Sequence, residues 1–156
     1  MSNGAKTSIS AEYLMTVRAN LAPRPVTDGL RVLDVTSGEV LGPRIKGELV
    51  SPSGDWLRLL PNGIAHLDVR VLIRTDDGHL IYSSYTGVLR QTMQDNERLA
   101  KGEMLKDGDF YLVVAPKYET SSEKYGWLNG IQTIGKMVEF QRAGDPHFTY
   151  DVFAIK

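Results

Sequence analysis

The sequence contains no cysteine, which excludes disulfide frameworks, thiolate nucleophiles and every zinc site built on sulfur. That absence fits a reducing compartment. No stretch approaches the roughly 20 consecutive apolar residues of a membrane helix. Residues 1–8 also lack the basic-then-apolar pattern of a signal peptide, so the expectation is a cytoplasmic protein without membrane contact. Charge of one sign is missing too: 18 Lys and Arg stand against 19 Asp and Glu, for a formal net charge of -1. With no basic run to concentrate cations, nucleic acid is not an expected partner.

Several chemical signatures are also missing. No Gly-rich phosphate loop leads from a strand into a helix, and no serine stands in a nucleophile-elbow context. His66, His79 and His147 lack the i, i+4 spacing of a metal site and read as scattered surface residues. The expectation is therefore no cofactor and no metal.

What is present is a chain of 156 residues with 42% hydrophobic and 24% charged content, ordinary values for one globular domain. Residues 1–10 are small and polar and read as a flexible N-terminus; residues 11–156 read as one β domain. A first strand is predicted over 13–19, running towards Pro23 and Pro25. Residues 30–36 alternate polar and apolar, and Ser37-Gly38 and Gly42-Pro43 read as turns. Further strands are predicted over 44–50, ending at Ser51-Pro52-Ser53-Gly54, and over 56–60. Two β-rich runs, 65–75 and 80–89, flank Asp76-Asp77-Gly78 as a hairpin. One helix is predicted over 92–102 with Gly102 as C-cap. Strands follow at 110–115, 131–141 and 148–155. The fold class expected is all-β: a single antiparallel β-barrel with one short helix.

Along the hairpin's first arm, Leu67, Val69, Val71 and Ile73 share one face, while His66, Asp68, Arg70 and Arg74 share the other. The polar stripe is either a solvated outer face or a lumen lining in which Asp68 and Arg70 fix each other beside a ligand. The turn decides which tyrosine joins Arg70. A three-residue Asp76-Asp77-Gly78 loop places Tyr82 and Ser84 on its face, and a two-residue Asp77-Gly78 turn places Tyr85 there. Gly54-Asp55-Trp56 sets a carboxylate and an indole at a turn-to-strand junction. The segment from Lys117 to Asn129, with Glu119, Trp127 and Asn129, reads either as a pocket rim or as a packed cap.

Three stretches together resemble the bacterial family known as domain of unknown function 3237. They are Gly42-Pro43-Arg44-Ile45-Lys46-Gly47-Glu48 leading to Gly54-Asp55-Trp56; Leu67-Asp68-Val69-Arg70 leading through Arg74-Thr75-Asp76-Asp77-Gly78 to Leu80-Ile81-Tyr82; and Tyr118-Glu119-Thr120 with Trp127-Leu128-Asn129. The resemblance implies a small β-barrel similar to the calycin and allene-oxide-cyclase-like barrels, often with a central cavity. It also implies that Asp68 and Arg70 face inward, because the family pattern carries Asp and Arg there. It brings no general activity.

The function expected is a cofactor-independent acid–base enzyme of isomerase, cyclase or lyase type, working on a small, partly apolar or aromatic molecule in the lumen. Asp68 is the expected general base or acid, and Arg70 the group that holds an oxyanion or a carboxylate. Asp55, Trp56, Tyr82, Tyr85, Glu119, Trp127 and Asn129 are the expected substrate contacts. The alternatives are a barrel that binds a small hydrophobic ligand without changing it, and a structural barrel filled by its own side chains. Symmetry makes a homodimer the commonest assembly; nothing in the sequence specifies one.

Overall fold

Period-2 alternation commits most of this chain to half-buried strands, and the strands close on themselves. A computed structural model describes residues 4–156. In chain order its elements are β1 (Ala11–Thr27), β2 (Leu30–Leu41), β3 (Lys46–Leu59), β4 (Ile64–Thr75), β5 (Leu80–Arg90), α1 (Met93–Ala100), β6 (Leu105–Lys106), β7 (Tyr111–Val114), β8 (Lys117–Glu119), β9 (Thr133–Gln141) and β10 (His147–Ile155). β1, β2, β3, β4, β5, β7, β9 and β10 pair antiparallel in that order, and β10 returns to β1. The result is a closed eight-stranded barrel. β6 and β8 are short additions paired to β9 and β5. Among the described residues no helix is long and apolar enough to cross a membrane.

The expected strands are present but several run longer, for physical reasons. β1 continues through Pro23 and Pro25 because its pairing with β10 ends at Asn20 while its pairing with β2 goes on to Thr27. On such a one-sided stretch a proline's missing N–H need not cost a ladder bond. Ser37-Gly38 is not a turn; β2 passes straight through it. A Cβ at Gly38 would lie 2.4 Å from the Arg18 carbonyl oxygen, so glycine serves strand approach there rather than chain reversal. The predicted strands 44–50 and 56–60 form one element, β3, with an irregularity between Val50 and Gly54. Ser53 repairs the interrupted ladder: its Oγ accepts from the Leu72 N–H at 2.9 Å and donates to the Val50 carbonyl at 2.7 Å.

The two barrel ends differ. At one end β5 begins, and the chain from β8 to β9 folds over the opening. Leu128 and Tyr125 are buried there, Arg44 lies 3.7 Å from the Trp127 ring centroid, and the Tyr125 hydroxyl donates to Asp77 Oδ1 at 2.9 Å. Around Tyr125, Trp127 and Leu128 the segment is therefore a packed cap, while Glu119 and Asn129 line a broad outer hollow together with Tyr82. At the other end α1 stands beside the opening. Thr92 caps it reciprocally with Asp95, and Gly102 follows at φ 85°, the left-handed conformation that ends helices. Residues 4–9 are exposed, whereas the Ser10 N–H donates to the Lys156 carbonyl at 3.1 Å. The first three residues of the expected flexible N-terminus lie outside the described residues.

Candidate active site

Pairing in the central hairpin decides which face looks inward. Arg70 is opposite Ser84 and Leu72 opposite Tyr82, so the hairpin uses the three-residue loop, with Gly78 at φ 88°. Val69 is opposite Tyr85. Leu67, Val69, Val71 and Ile73 are each no more than 7% exposed and fill the interior. The polar series is therefore the outer face. Asp68 and Arg70 form an ion pair at 3.6 Å on the surface, their side chains 54% and 53% exposed. The expected inward orientation of this pair is reversed: close-packing an eight-stranded interior with aliphatic side chains stabilises the barrel by about 25 cal/mol per Å², and turning the stripe inward would forfeit it.

The same parity sorts the other candidates. Tyr82 lies on Arg70's outer face, opposite Glu119 of β8, which is exposed. Trp56 is 41% exposed, and its ring centroid is 5.8 Å from the Arg70 guanidinium carbon. Asn129 is exposed and works within the cap, accepting from the Thr120 N–H at 2.8 Å and donating to the Thr120 carbonyl at 3.0 Å. Trp127 packs half-buried in that cap beneath Arg44. None of these lines the interior cavity; two of the expected contacts, Asp55 and Tyr85, do.

Asp55 is opposite Leu33 on one side and Val69 on the other, both buried. It occupies an aliphatic position of the inward series, with Leu57 and Leu59 following on the same face. Its side chain is 4% exposed. Oδ1 accepts the Asp68 backbone N–H at 2.9 Å. Burial raises the Asp55 pKa to about 7; the Asp68 N–H partly counters this and the Asp68 carboxylate adds to it. Asp68 thus acts on the interior through its backbone and its charge rather than by entering it.

Tyr85 and Tyr150 line the same cavity with their hydroxyls hydrogen-bonded to each other. Desolvation pushes Tyr85 well above its ordinary value and Tyr150 up to about 12, and the Asp55 charge adds to both shifts. Both rings are therefore neutral donors at ordinary pH. Two hydroxyls sharing one hydrogen bond leave one hydroxyl hydrogen for a third partner. Tyr118, also buried, lies near Tyr85, and burial pushes it, too, well above its ordinary value, so it is neutral. Around these groups the cavity is aliphatic, lined by Leu33, Val35, Leu67, Val69 and Met137 among others.

The cavity itself is small, about 30 Å³, room for one or two waters. Leu21, Leu33 and Phe148 also line a second space of about 470 Å³ at the end beside α1. Those three side chains stand between this vestibule and the cavity that holds Asp55. Phe140 and Phe148 form part of its wall, stacked with centroids 4.1 Å apart.

Tyr150 was within reach of sequence reasoning, since Phe148, Tyr150, Val152 and Ala154 alternate along β10. Asp55 carried the same signal, as the carboxylate in step with Leu57 and Leu59. His147 is not a surface residue as expected. It is 1% exposed, with Nε2 2.8 Å from Glu139 Oε2 and Nδ1 2.7 Å from the Asp145 carbonyl, an anchor for the β9–β10 turn. Among the described residues no group of three or more His, Asp or Glu side chains could hold a metal ion.

Comparisons with known proteins agree with this architecture. A family model described as "Protein of unknown function (DUF3237)" matches residues 9–155. A UPF0311 protein of Rhodopseudomonas palustris is 25% identical over 133 residues, 82% of this chain and 87% of its own length. The crystal structure of a conserved protein of unknown function from that organism superposes with a TM-score of 0.85 at 22% identity, covering 97% of this chain and 100% of the other. A β-barrel-like protein from Acinetobacter baumannii gives 0.76 at 28% identity, covering 97% and 99%. A crystal structure described as an enzyme from Penicillium herquei gives 0.64 at 20% identity, covering 99% and 100%.

Proposed function

For this chain, which belongs to the DUF3237 family, we propose an acid–base enzyme that isomerises, cyclises or eliminates within a small, partly apolar molecule. Asp55 is its proton carrier. The observation that carries this reading is the placement of one carboxylate, buried and shifted to about 7, against two neutral tyrosine hydroxyls in an otherwise aliphatic cavity. A carboxylate held near neutrality can both take and return a proton at ordinary pH.

In the proposed step, ionised Asp55 removes a proton from a carbon beside a carbonyl. The electron pair of that C–H bond moves to form an enolate. The hydroxyl hydrogen left over from the Tyr85–Tyr150 pair donates to the enolate oxygen, where the dry surroundings strengthen it. Protonated Asp55 then returns the proton to a different carbon, or the enolate expels a leaving group that takes the Asp55 proton as it departs. The cavity is too small for a whole substrate, so only the reacting end enters it while the rest occupies the vestibule. The enzyme from Penicillium herquei supports placing chemistry on this architecture.

Proton exchange at carbon reports this step for any carbonyl compound the site accepts, whichever one is the natural substrate. The protein is incubated in D₂O with a panel of β,γ-unsaturated and cyclic ketones, and deuterium incorporation is followed by proton NMR. The expected result is incorporation into at least one carbonyl compound, rising with pH through about 7 and reduced at least about a hundredfold in Asp55→Asn. No incorporation across the panel, or equal incorporation in Asp55→Asn, would overturn the reading. The carrier alternative is favoured by the aliphatic lining; it predicts saturable binding of the same ketones with no incorporation.

A further inference from the structure

The vestibule holds a second group of polar side chains that the acid–base step does not use. Arg31 continues the inward series of Leu33 and Val35 at the mouth of β2, and Arg142 follows the inward-facing Phe140 just beyond β9. Among the described residues neither guanidinium has a carboxylate within ion-pair distance, and no Asp or Glu lines the vestibule. What sets them apart is their placement: both line one vestibule, whereas Arg18, Arg24, Arg70, Arg74 and Arg98 are each paired with a carboxylate. Burial and the neighbouring Arg31 charge both push Arg142 below its ordinary value, the direction expected where two cations share space without an anion.

Arg142 is also held in place. Its guanidinium donates to Asn96 Oδ1 of α1 at 2.9 Å, and the Gln91 side-chain amide donates to the same oxygen at 2.6 Å. Gln91 Oε1 is left buried with no donor. A fixed guanidinium with a second cation beside it forms a cationic rim above an aliphatic and aromatic floor of Leu57, Leu59 and Phe148.

Resting on the acid–base reading above, we infer that the ligand is an amphiphilic carboxylate: Arg31 and Arg142 hold its anionic head at the barrel mouth, and its apolar body points down towards Asp55. The arrangement sets polarity as well as affinity. Ionised Asp55 repels a carboxylate at the bottom of the lumen while the arginines attract it at the top, so the molecule enters in one orientation. Guanidinium–carboxylate hydrogen bonds are charge-assisted, and the planar fork can engage both carboxylate oxygens.

The experiment uses two probes of one shape, 2-naphthoate and 2-naphthalenemethanol, titrated calorimetrically at low salt into the wild type, Arg31→Gln/Arg142→Gln and Asp55→Asn. The wild type is expected to prefer the carboxylate by about tenfold or more, and the double arginine variant to lose that preference while holding the alcohol within about twofold. Circular dichroism of that variant confirms the barrel. Equal binding of both probes by the wild type, a preference that survives in the double variant, or binding of neither probe would each overturn the inference. Asp55→Asn is expected to keep the preference. A preserved carboxylate preference without any deuterium exchange would leave the anion site standing and remove the acid–base chemistry.

Discussion

Asp55 opposes its own ionisation, and this reverses the usual pH dependence of a carboxylate. Its pKa rises from 3.8 in a solvated chain to about 7 in the barrel. Between those values the folded state binds more protons than the unfolded one, so stability falls as pH rises from about 4 to about 7 and is level above that. Asp55→Asn keeps an oxygen for the Asp68 N–H and has no charge to bury. The variant should therefore gain on the wild type between pH 5 and pH 8, by about 2 kcal/mol. Urea unfolding at the two pH values measures this; a gap that does not change with pH would show that Asp55 titrates normally. Under the proposed function, this cost is the stability–activity trade expected of a buried proton carrier. At this scale the sequence was partly readable. Asp55 and Tyr85 stood among the candidates, but Asp68 and Arg70 drew the central role because two opposite charges on one strand look alike whether they face water or a ligand. A residue pattern shared with a family does not say which face it lies on.

Strand elements were legible through their period, and their limits were not, because glycine, proline and serine signal turns and also perform other work inside strands. Gly38 permits close approach of β1, Ser53 substitutes for a ladder group, and Pro23 and Pro25 lie where β1 has lost its partner on one side. Gly135 of β9 has a comparable role facing the lumen. A Cβ there would lie 2.7 Å from Val114 Cγ2 and 3.1 Å from Tyr150 Cδ2. Gly135→Ala must displace one of them, and overpacking of this kind costs about 1–3 kcal/mol. The displacement also bears on Tyr150, so deuterium exchange into a ketone substrate should fall along with stability. Chemical denaturation and the exchange assay are read together. A variant as stable and as active as the wild type would mean that the lumen yields more easily than its packing indicates. The helix, by contrast, announced itself: Gly102 ends it as expected, and the structure adds the reciprocal cap of Thr92 and Asp95 at its start.

Closure of the eight strands is a property of the whole chain that no local pattern carries, since it depends on β10 finding both β9 and β1. Alternation showed that many half-buried strands existed; the number in the ring and the identity of the open end followed only from the pairing. Closure also settles the stripe, because a ring of this size has one interior and fills it with the apolar series. It further dictates how the molecule should open. Within the ring every strand has a partner on each side, so its amides exchange only through large openings, whereas β6 and β8 are held along one strand each. Hydrogen–deuterium exchange should therefore label 105–106 and 117–119 first. β4 and the paired stretch of β10 should follow much later and close together, as units that lose protection with the barrel itself. Opening of β8 would also loosen the cap, because Thr120 and Asn129 lock that segment to the Gly126–Gly130 turn. If β10 exchanged as early as β8, the β1–β10 seam would be a gate rather than a wall. The vestibule beside α1 would then lose its claim to be the route to Asp55.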